Sequence, residues 1–411
     1  MYKSDISVAR AQRRHDLDWL RVIAFGSLIF FHTAIMFEPT ALPNMVNDEA
    51  SPALGMYVAF SHQFRLALLF LVSGMGVRFA LRHRDGKTYF AERCRRLLIP
   101  LLFGVFVIVP PMVFLEKRFN EQYLGNFVEF YSTLFSGSVY PEGSLSWHHF
   151  WFIAYLFLYC MFTWPLFRRW KQVPAKARLD RVGAWIATGV NLYWFIIPLF
   201  MIEILLRPLF PGHRDLVSDW ASFAHWLVVF MMGYIIAHQP LILKRIEELR
   251  YTSLILGTTS SFLLFMLFYE PMSYSFVLNR EITIENAIRF SAFSALRLLG
   301  VLAWLYTCVG FAARFLNRGS VVLTYLNNAV YPLFCLHHLL IVALGYYILP
   351  TDLSIASKFL LIVIGTFLGA FFAYEMMIRR VPGLAVFFGA KNSPSVTQTD
   401  QRAFDIWSCR L

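Results

Sequence analysis

Leu17-Asp18-Trp19-Leu20-Arg21-Val22-Ile23-Ala24-Phe25-Gly26-Ser27-Leu28-Ile29-Phe30-Phe31-His32 opens the apolar part of the chain and sets two ionisable side chains, Arg21 and His32, into it. Such groups are costly inside a membrane span and tend to mark a substrate path, a proton relay or a reaction centre. Eleven residues separate them. That is close to three helical turns, so a helix carries both on one face, roughly 16 Å apart along its axis. The separation is too great for direct contact and suits the two ends of one long ligand. Asp18, three residues before Arg21, either orients that arginine or favours the helix N-terminus.

Outward from this segment the apolar pattern repeats. Of 411 residues, 58% are hydrophobic, 18% aromatic and only 15% charged, whereas soluble domains carry about a quarter charged residues. The mean hydropathy is +0.56. Apolar runs of near-membrane length predict ten transmembrane helices near 19–38, 56–80, 97–115, 149–167, 184–206, 222–238, 251–270, 290–313, 322–349 and 356–378. The expected fold is all-α, a polytopic membrane helix bundle. One domain is expected over 1–390, followed by a short flexible tail over 391–411 that is rich in Ser, Pro, Thr and Gln. The first run follows a basic leader without a small-residue cleavage pattern and reads as an uncleaved span.

The net charge of +12 does not form one basic patch, so nucleic acid is not expected as a partner. The charge alternates between loops instead. The N-terminus, the loops after spans two, four, six and eight, and the C-terminus, together with Arg21 and Arg78 at the adjoining ends of spans one and two, hold 28 of the 37 Lys and Arg. The other loops hold seven: Lys117, Arg118, Arg207, Arg214, Arg280, Arg289 and Lys358. This asymmetry places both termini in the cytoplasm, and Arg82 and Arg84 belong to that orientation signal. The long outer connection from Glu116 to Trp147 is expected to hold a short interfacial helix and a lid. Pro208 to Asp219 reads as a tight turn region. Cys94, Cys160, Cys308, Cys335 and Cys409 are scattered, which supports neither a disulfide framework nor a zinc site.

Several ionisable groups fall at the depth of His32. They are His62 and Arg65 in span two, His148 and His149 at the start of span four, Arg297 in span eight, and His337 and His338 in span nine. Each histidine alone reads equally well as a packing residue bonded to a neighbouring helix. Adjacent histidines point about 100° apart on a helix, so at most one of each pair is expected to face the centre. No His-x-x-x-His or Glu-x-x-His pairing is present, and no metal is expected. At the other end, Arg93 and Arg96 stand at i and i+3 on one helix face; their spacing fits anion binding and topology alike. Glu375 and Arg379 are spaced for a structural i,i+4 ion pair.

In this order, the motifs resemble the acyltransferase-3 family of integral membrane acyltransferases, over Leu17 to about Lys391. They are Leu-Asp-Trp-Leu-Arg with Arg21-x10-His32, Phe70-Leu71-Val72-Ser73-Gly74, and Arg93-Cys94-Arg95-Arg96. They continue with His149-Phe150-Trp151-Phe152, Leu336-His337-His338, Tyr374-Glu375 with Arg379 and Arg380, and Phe388-Gly389-Ala390-Lys391. Ser61-His62-Gln63-Phe64-Arg65, Asn328, the Tyr-Glu ending and Trp19 resemble the glucan biosynthesis branch, the succinyltransferases of osmoregulated periplasmic glucans.

The resemblance implies transfer of a succinyl or acetyl group from cytoplasmic acyl-CoA, across the bacterial inner membrane, to a hydroxyl of a periplasmic or cell-envelope glycan. Acyl-CoA is then a donor substrate, and no cofactor is permanently bound. Arg21, Arg93 and Arg96 are the expected acyl-CoA contacts, since the arginine fork suits phosphate. His32 is the expected catalytic residue, as general base or as acylated nucleophile. His62, Arg65, His149, Arg297 and His338 are candidates for the acceptor or acyl pocket. Arg65 and Arg297 would meet a succinyl carboxylate or serve as ion-pair partners. The chain shows no added soluble domain, so the bundle is expected to perform the whole transfer or to work with glycan-synthesis partner proteins. Two other classes fit the same polar groups: a transporter of a glycan or lipid-linked intermediate, and a scaffold whose polar groups are purely structural.

Overall fold

The computed structural model describes residues 14–38, 45–81, 85–212, 215–267, 283–381 and 383–390. Arg82, Arg84, Arg214, Arg280, Lys391, Cys409 and the expected tail over 391–411 lie outside the described residues.

Short polar side chains start many of the helices. Asp85, Asn126, Asp219, Thr283, Ser320 and Ser354 each accept from a backbone N–H three residues on, which satisfies one of the unpaired donors at a helix N-terminus. The resulting helices are α1 (His15–Ile35), α2 (Pro52–Leu81), α3 (Gly86–Phe119), α4 (Phe127–Ser132), α5 (His148–Arg169), α6 (Val173–Ile186), α7 (Asn191–Leu205), α8 (Trp220–His238), α9 (Pro240–Glu248), α10 (Arg250–Leu267), α11 (Ile284–Phe315), α12 (Val321–Ile348) and α13 (Ile355–Ile378). No strand occurs among the described residues. The all-α helix bundle stands.

Among the described residues, eight helices are long and apolar enough to cross a membrane, or nine if α6 and α7 count as one bent span. That bend differs from the straight span expected over 184–206. The axis turns by 117° at Gly189, whose φ of +53° is left-handed and favours glycine. Thr188 Oγ1 and Asn191 Nδ2 both donate to the Trp185 carbonyl, at 2.7 and 3.0 Å, and close the end of α6. The other difference is α10, described for 18 residues. Arg250 at its start and its Thr, Ser and Gly positions from Thr252 to Ser261 keep it out of that count.

Helix α3 widens twice into π-helical turns, Cys94–Leu98 and Gly104–Ile108. Each precedes a proline, Pro100 or Pro110, whose ring would clash with the carbonyl four residues back. A turn closed by i→i+5 bonds moves that carbonyl away without ending the helix. The expected loop helix is α4, and Leu124, Val128, Phe135 and Val139 around it are exposed. Cys94, Cys160, Cys308 and Cys335 are free thiols.

The Ser73-Gly74 motif has a packing role. A Cβ on Gly74 of α2 would lie 1.9 Å from the Phe230 carbonyl oxygen of α8, and one on Gly233 of α8 would lie 2.1 Å from the Leu71 carbonyl oxygen of α2. The two backbones touch because both positions lack side chains, the usual device where lipid removes the hydrophobic drive between helices. Gly74→Ala is expected to destabilise the protein by about 1–3 kcal/mol. Thermal unfolding in detergent checks this, and an unchanged transition would show that α2 and α8 can part at little cost. Helix α1 lies at the centre, packed against α2, α11, α12 and α13.

Candidate active site

Central packing brings the two side chains of α1 to different neighbours. Arg21 Nη1 reaches Asp18 Oδ1 at 3.4 Å and Asn327 Oδ1 of α12 at 3.1 Å. The sequence singled out Asn328; it is Asn327 that meets the arginine. About three turns on, the His32 ring stacks on that of His338, with centroids 4.5 Å apart and planes 26° apart. His337 lies 5.3 Å away. His149 closes the group, 5.0 Å from His337 and 5.3 Å from His338.

Both histidines of the α12 pair thus belong to the cluster, against the expectation that one of two would. Their 100° separation lets the two rings flank His32 from different sides. His148 joins as well, its ring 6.0 Å from His338. It is not α-helical: it begins a 3-10 turn at φ +39°, a left-handed value that turns its side chain back toward the cluster.

Hydrogen bonds assign the tautomers. A carbonyl oxygen only accepts, so His149 Nε2–H donates to Cys335 O at 3.3 Å and His337 Nδ1–H donates to Phe334 O at 2.6 Å. The opposite nitrogens, His149 Nδ1 and His337 Nε2, keep lone pairs without a hydrogen-bond partner among the described residues; His338 Nδ1 likewise has no hydrogen-bond partner there. His149 and His337 are buried, whereas His32 keeps some accessible surface. Ring contacts rather than hydrogen bonds hold His32 among the described residues. No three His, Cys, Asp or Glu side chains there are arranged to hold a metal ion. A neutral, accessible imidazole among unprotonated nitrogens can take a hydroxyl proton or attack an activated carbonyl.

Arg65 borders the cluster. It is buried, and its Cζ lies 3.1 Å from the ring centroid of Phe31, next to His32. Cation–π contact of this kind stabilises a desolvated guanidinium by about 2 kcal/mol. His62 is less enclosed than Arg65. One position on from buried Ser61, it turns out of the core and is exposed, 6.2 Å from the Phe31 ring.

Arg297 is also placed elsewhere. Its Nη2 pairs with Glu203 Oε2 of α7 at 3.1 Å. Glu203 also accepts from Arg207 Nε and Nη2, both at 3.2 Å, and meets His225 Nδ1 of α8 at 3.0 Å. The arginine is an ion-pair partner here, one of the two roles open to it. Glu203 and His225 were not legible as a site, because neither stands in a motif and they are far apart in sequence. At the Arg21 end, Arg93 pairs with Glu92 at 3.9 Å and lies over the Tyr89 ring at 5.1 Å. The π turn at Cys94–Leu98 carries Arg96 further round the axis from Arg93 than α-helical i,i+3 spacing expects. Glu375 and Arg379 form the expected pair, at 2.7 and 2.8 Å.

The connection between α3 and α5 roofs the histidines. His148 Nε2 meets Glu116 Oε2 at 3.1 Å, its Nδ1 meets Ser146 Oγ at 2.6 Å, and its ring packs on Tyr140 at 5.0 Å. The Tyr140 hydroxyl is held well above the usual tyrosine range, by burial first and then by the Glu116 carboxylate beside it. Glu116 is buried although the sequence placed it at the start of a loop.

The family model described as "Acyltransferase domain" matches residues 14–375. "Glucans biosynthesis protein C" of Salmonella typhi is 24% identical over 409 residues, covering 97% of this chain and 100% of that protein. The protein of the same name from Salmonella schwarzengrund is 24% identical over 404 residues, with the same coverage. No solved structure matches the chain. The family match takes in α1 with Arg21 and His32, the histidines packed on it and the helices that carry them, and the chain belongs to the acyltransferase-3 family of integral membrane acyltransferases.

Proposed function

We propose that the protein transfers an acyl group, succinyl or acetyl, from cytoplasmic acyl-CoA to a hydroxyl of a periplasmic glucan, across the bacterial inner membrane. One observation carries the reading. A narrow apolar crevice runs along α1 between α12 and α13. It is lined on α1 by Val22, Phe25, Gly26 and Ile29, and on α12 by residues from Leu326 to His337. The crevice begins one residue beyond Arg21 and ends at a histidine packed on His32. A thin pantetheine arm laid along it would have its nucleotide phosphates at Arg21 and its thioester at the histidines. Arg93 and Arg96 stand before span three as further cations for those phosphates.

At the far end His32 acts on the thioester, as base for the acceptor hydroxyl or as the group first acylated. His337 and His149 present bare nitrogens that hydrogen-bond protonated intermediates. Arg65 supplies the positive charge nearest this chamber and suits a succinyl carboxylate. The glucan is inferred from the names of the relatives. Envelope glucans purified with and without the protein test the whole reading by mass spectrometry. Loss of succinyl or acetyl mass when the protein is absent is expected; identical spectra would overturn it.

Arg21→Ala is expected to raise the donor KM about ten- to a hundred-fold, the loss of one or two charge-assisted bonds, with kcat changed far less. An unaltered KM for the donor would remove Arg21 from the proposed nucleotide site.

A further inference from the structure

The roof over the histidines holds a constellation that the acyl-transfer reading does not use. Ser146 Oγ, His148 Nδ1, His148 Nε2 and Glu116 Oε2 form a line of two hydrogen bonds, 2.6 and 3.1 Å long. The roles are fixed by what each atom can do. An ionised Glu116 only accepts, so Nε2 carries the imidazole proton and Nδ1 receives the Ser146 hydroxyl proton. The same serine oxygen accepts from the backbone N–H of His148 at 3.1 Å, which occupies a lone pair and leaves the hydroxyl hydrogen for Nδ1. A hydroxyl on an imidazole that is oriented by a buried carboxylate is the arrangement that activates nucleophilic serines, recognised by geometry and roles rather than chain order.

The surroundings hold it in place. His148 sits at φ +39°, a conformation a non-glycine residue rarely adopts and one found where surrounding structure over-determines it. Thr133 Oγ1 donates to Ser144 Oγ at 2.7 Å, and Lys117 Nζ donates to the Gly143 carbonyl at 2.8 Å, pinning the loop just before Ser146. Ser146 keeps accessible surface, while Glu116 is buried. The His148 ring is 6.0 Å from His338, which stacks on His32.

We propose that Ser146, with His148 and Glu116, is a second acyl-transfer centre on the acceptor side, where the acyl group rests as a serine ester before it reaches the sugar. The proposal rests on the acyl-transfer reading for its donor. In the first half, Ser146 Oγ attacks the acyl carbonyl carbon and a C–O bond forms. The C–S bond of the thioester breaks, or the C–N bond if the acyl group has first moved to His32. The serine proton passes to His148 Nδ1 and then to the departing sulfur or nitrogen. In the second half, the acceptor hydroxyl oxygen attacks the serine ester and gives its proton to His148 Nδ1. The Ser146–acyl bond breaks, and the serine oxygen takes that proton back. Glu116 holds Nε2–H throughout and balances the imidazolium charge.

The test separates the serine from the donor. Detergent-purified protein is treated with a fluorophosphonate, which marks activated serines and needs no thioester, and the labelled peptide is mapped by mass spectrometry. Labelling of Ser146 is expected, absent in Ser146→Ala and reduced about ten-fold or more in Glu116→Gln. Wild-type protein is then mixed with succinyl or acetyl thioester without acceptor and quenched in acid, with an acyl mass expected on the Ser146 peptide. An unlabelled Ser146 in folded wild-type protein would overturn the proposal, whether or not the variants fold. So would Ser146→Ala transferring acyl groups at the wild-type rate. If Ser146 labels but wild-type protein consumes neither thioester, the serine centre stands and the donor assignment fails. If thioester is consumed and Ser146 stays unlabelled, the reverse holds.

Discussion

His32→Ala is expected to reduce acyl transfer at least about a hundred-fold, the low end of what positioned acid–base or nucleophilic groups contribute. The folded, membrane-inserted protein should remain. His32 makes ring contacts with Phe31, His337 and His338 and no hydrogen bond among the described residues. Its removal therefore orphans no buried donor or acceptor, the usual source of large stability losses on truncation. The loss should fall on kcat, because the donor's phosphates are assigned to Arg21 at the opposite end of α1. His32→Gln keeps most of the volume and some hydrogen bonding but neither basicity nor nucleophilicity, and should be as inactive as the alanine variant. Thioester consumption by detergent-purified protein in the presence of glucan measures this. A rate within a few-fold of wild type in either variant would move the reaction centre elsewhere among the histidines. His338 would be the first candidate, since it stacks directly on His32 and its Nδ1 has no hydrogen-bond partner among the described residues.

Much of this centre was legible in the sequence, for reasons that can be named. Arg21 and His32 share one uninterrupted helix, and helical geometry alone fixes their separation. His149 and His338 belong to the layer that hydropathy placed at the depth of His32. The failures occur where the backbone leaves the α-helix or where a partner comes from far along the chain. His148 joins the cluster because of a left-handed backbone angle, which no periodicity announces. The π turn before Pro100 rotates Arg96 away from Arg93. One span over 184–206 was expected where Gly189 bends the chain by 117°. Asn327 was missed because which of two neighbouring asparagines faces Arg21 depends on how α12 is rotated against α1. Gly74 was read as part of a family motif, and only the α8 carbonyl beside it gives the motif a physical reason.

Arg297 and Glu203 lead to the second large effect. Glu203 receives hydrogen bonds from Arg207, forms an ion pair with Arg297 and meets His225, and it is almost wholly buried. Arg207 is further held by Asp219 at 3.5 Å and Ser222 Oγ at 2.9 Å. The group ties α7 to α8 and α11 just beyond the bent segment, where a polar network is the main alternative to small-residue packing. Glu203→Gln removes the charge that two arginines share and turns an amide N–H₂ toward their donors. Breaking a buried pair from one side costs about 3–5 kcal/mol, because the remaining charge stays buried without compensation. The half-life of the folded state in detergent at a fixed temperature is the suitable measure, since membrane proteins of this size often unfold irreversibly. It should shorten sharply. Adding Arg297→Gln to Glu203→Gln should cost less than Arg297→Gln does alone, because the two changes act on one interaction. The molecules that remain folded should keep the wild-type KM for the acyl donor. A half-life equal to wild type would mean that the arginines find other partners. A large KM change in stable protein would return Arg297 to the acyl pocket, with the succinyl carboxylate competing with Glu203 for the same guanidinium.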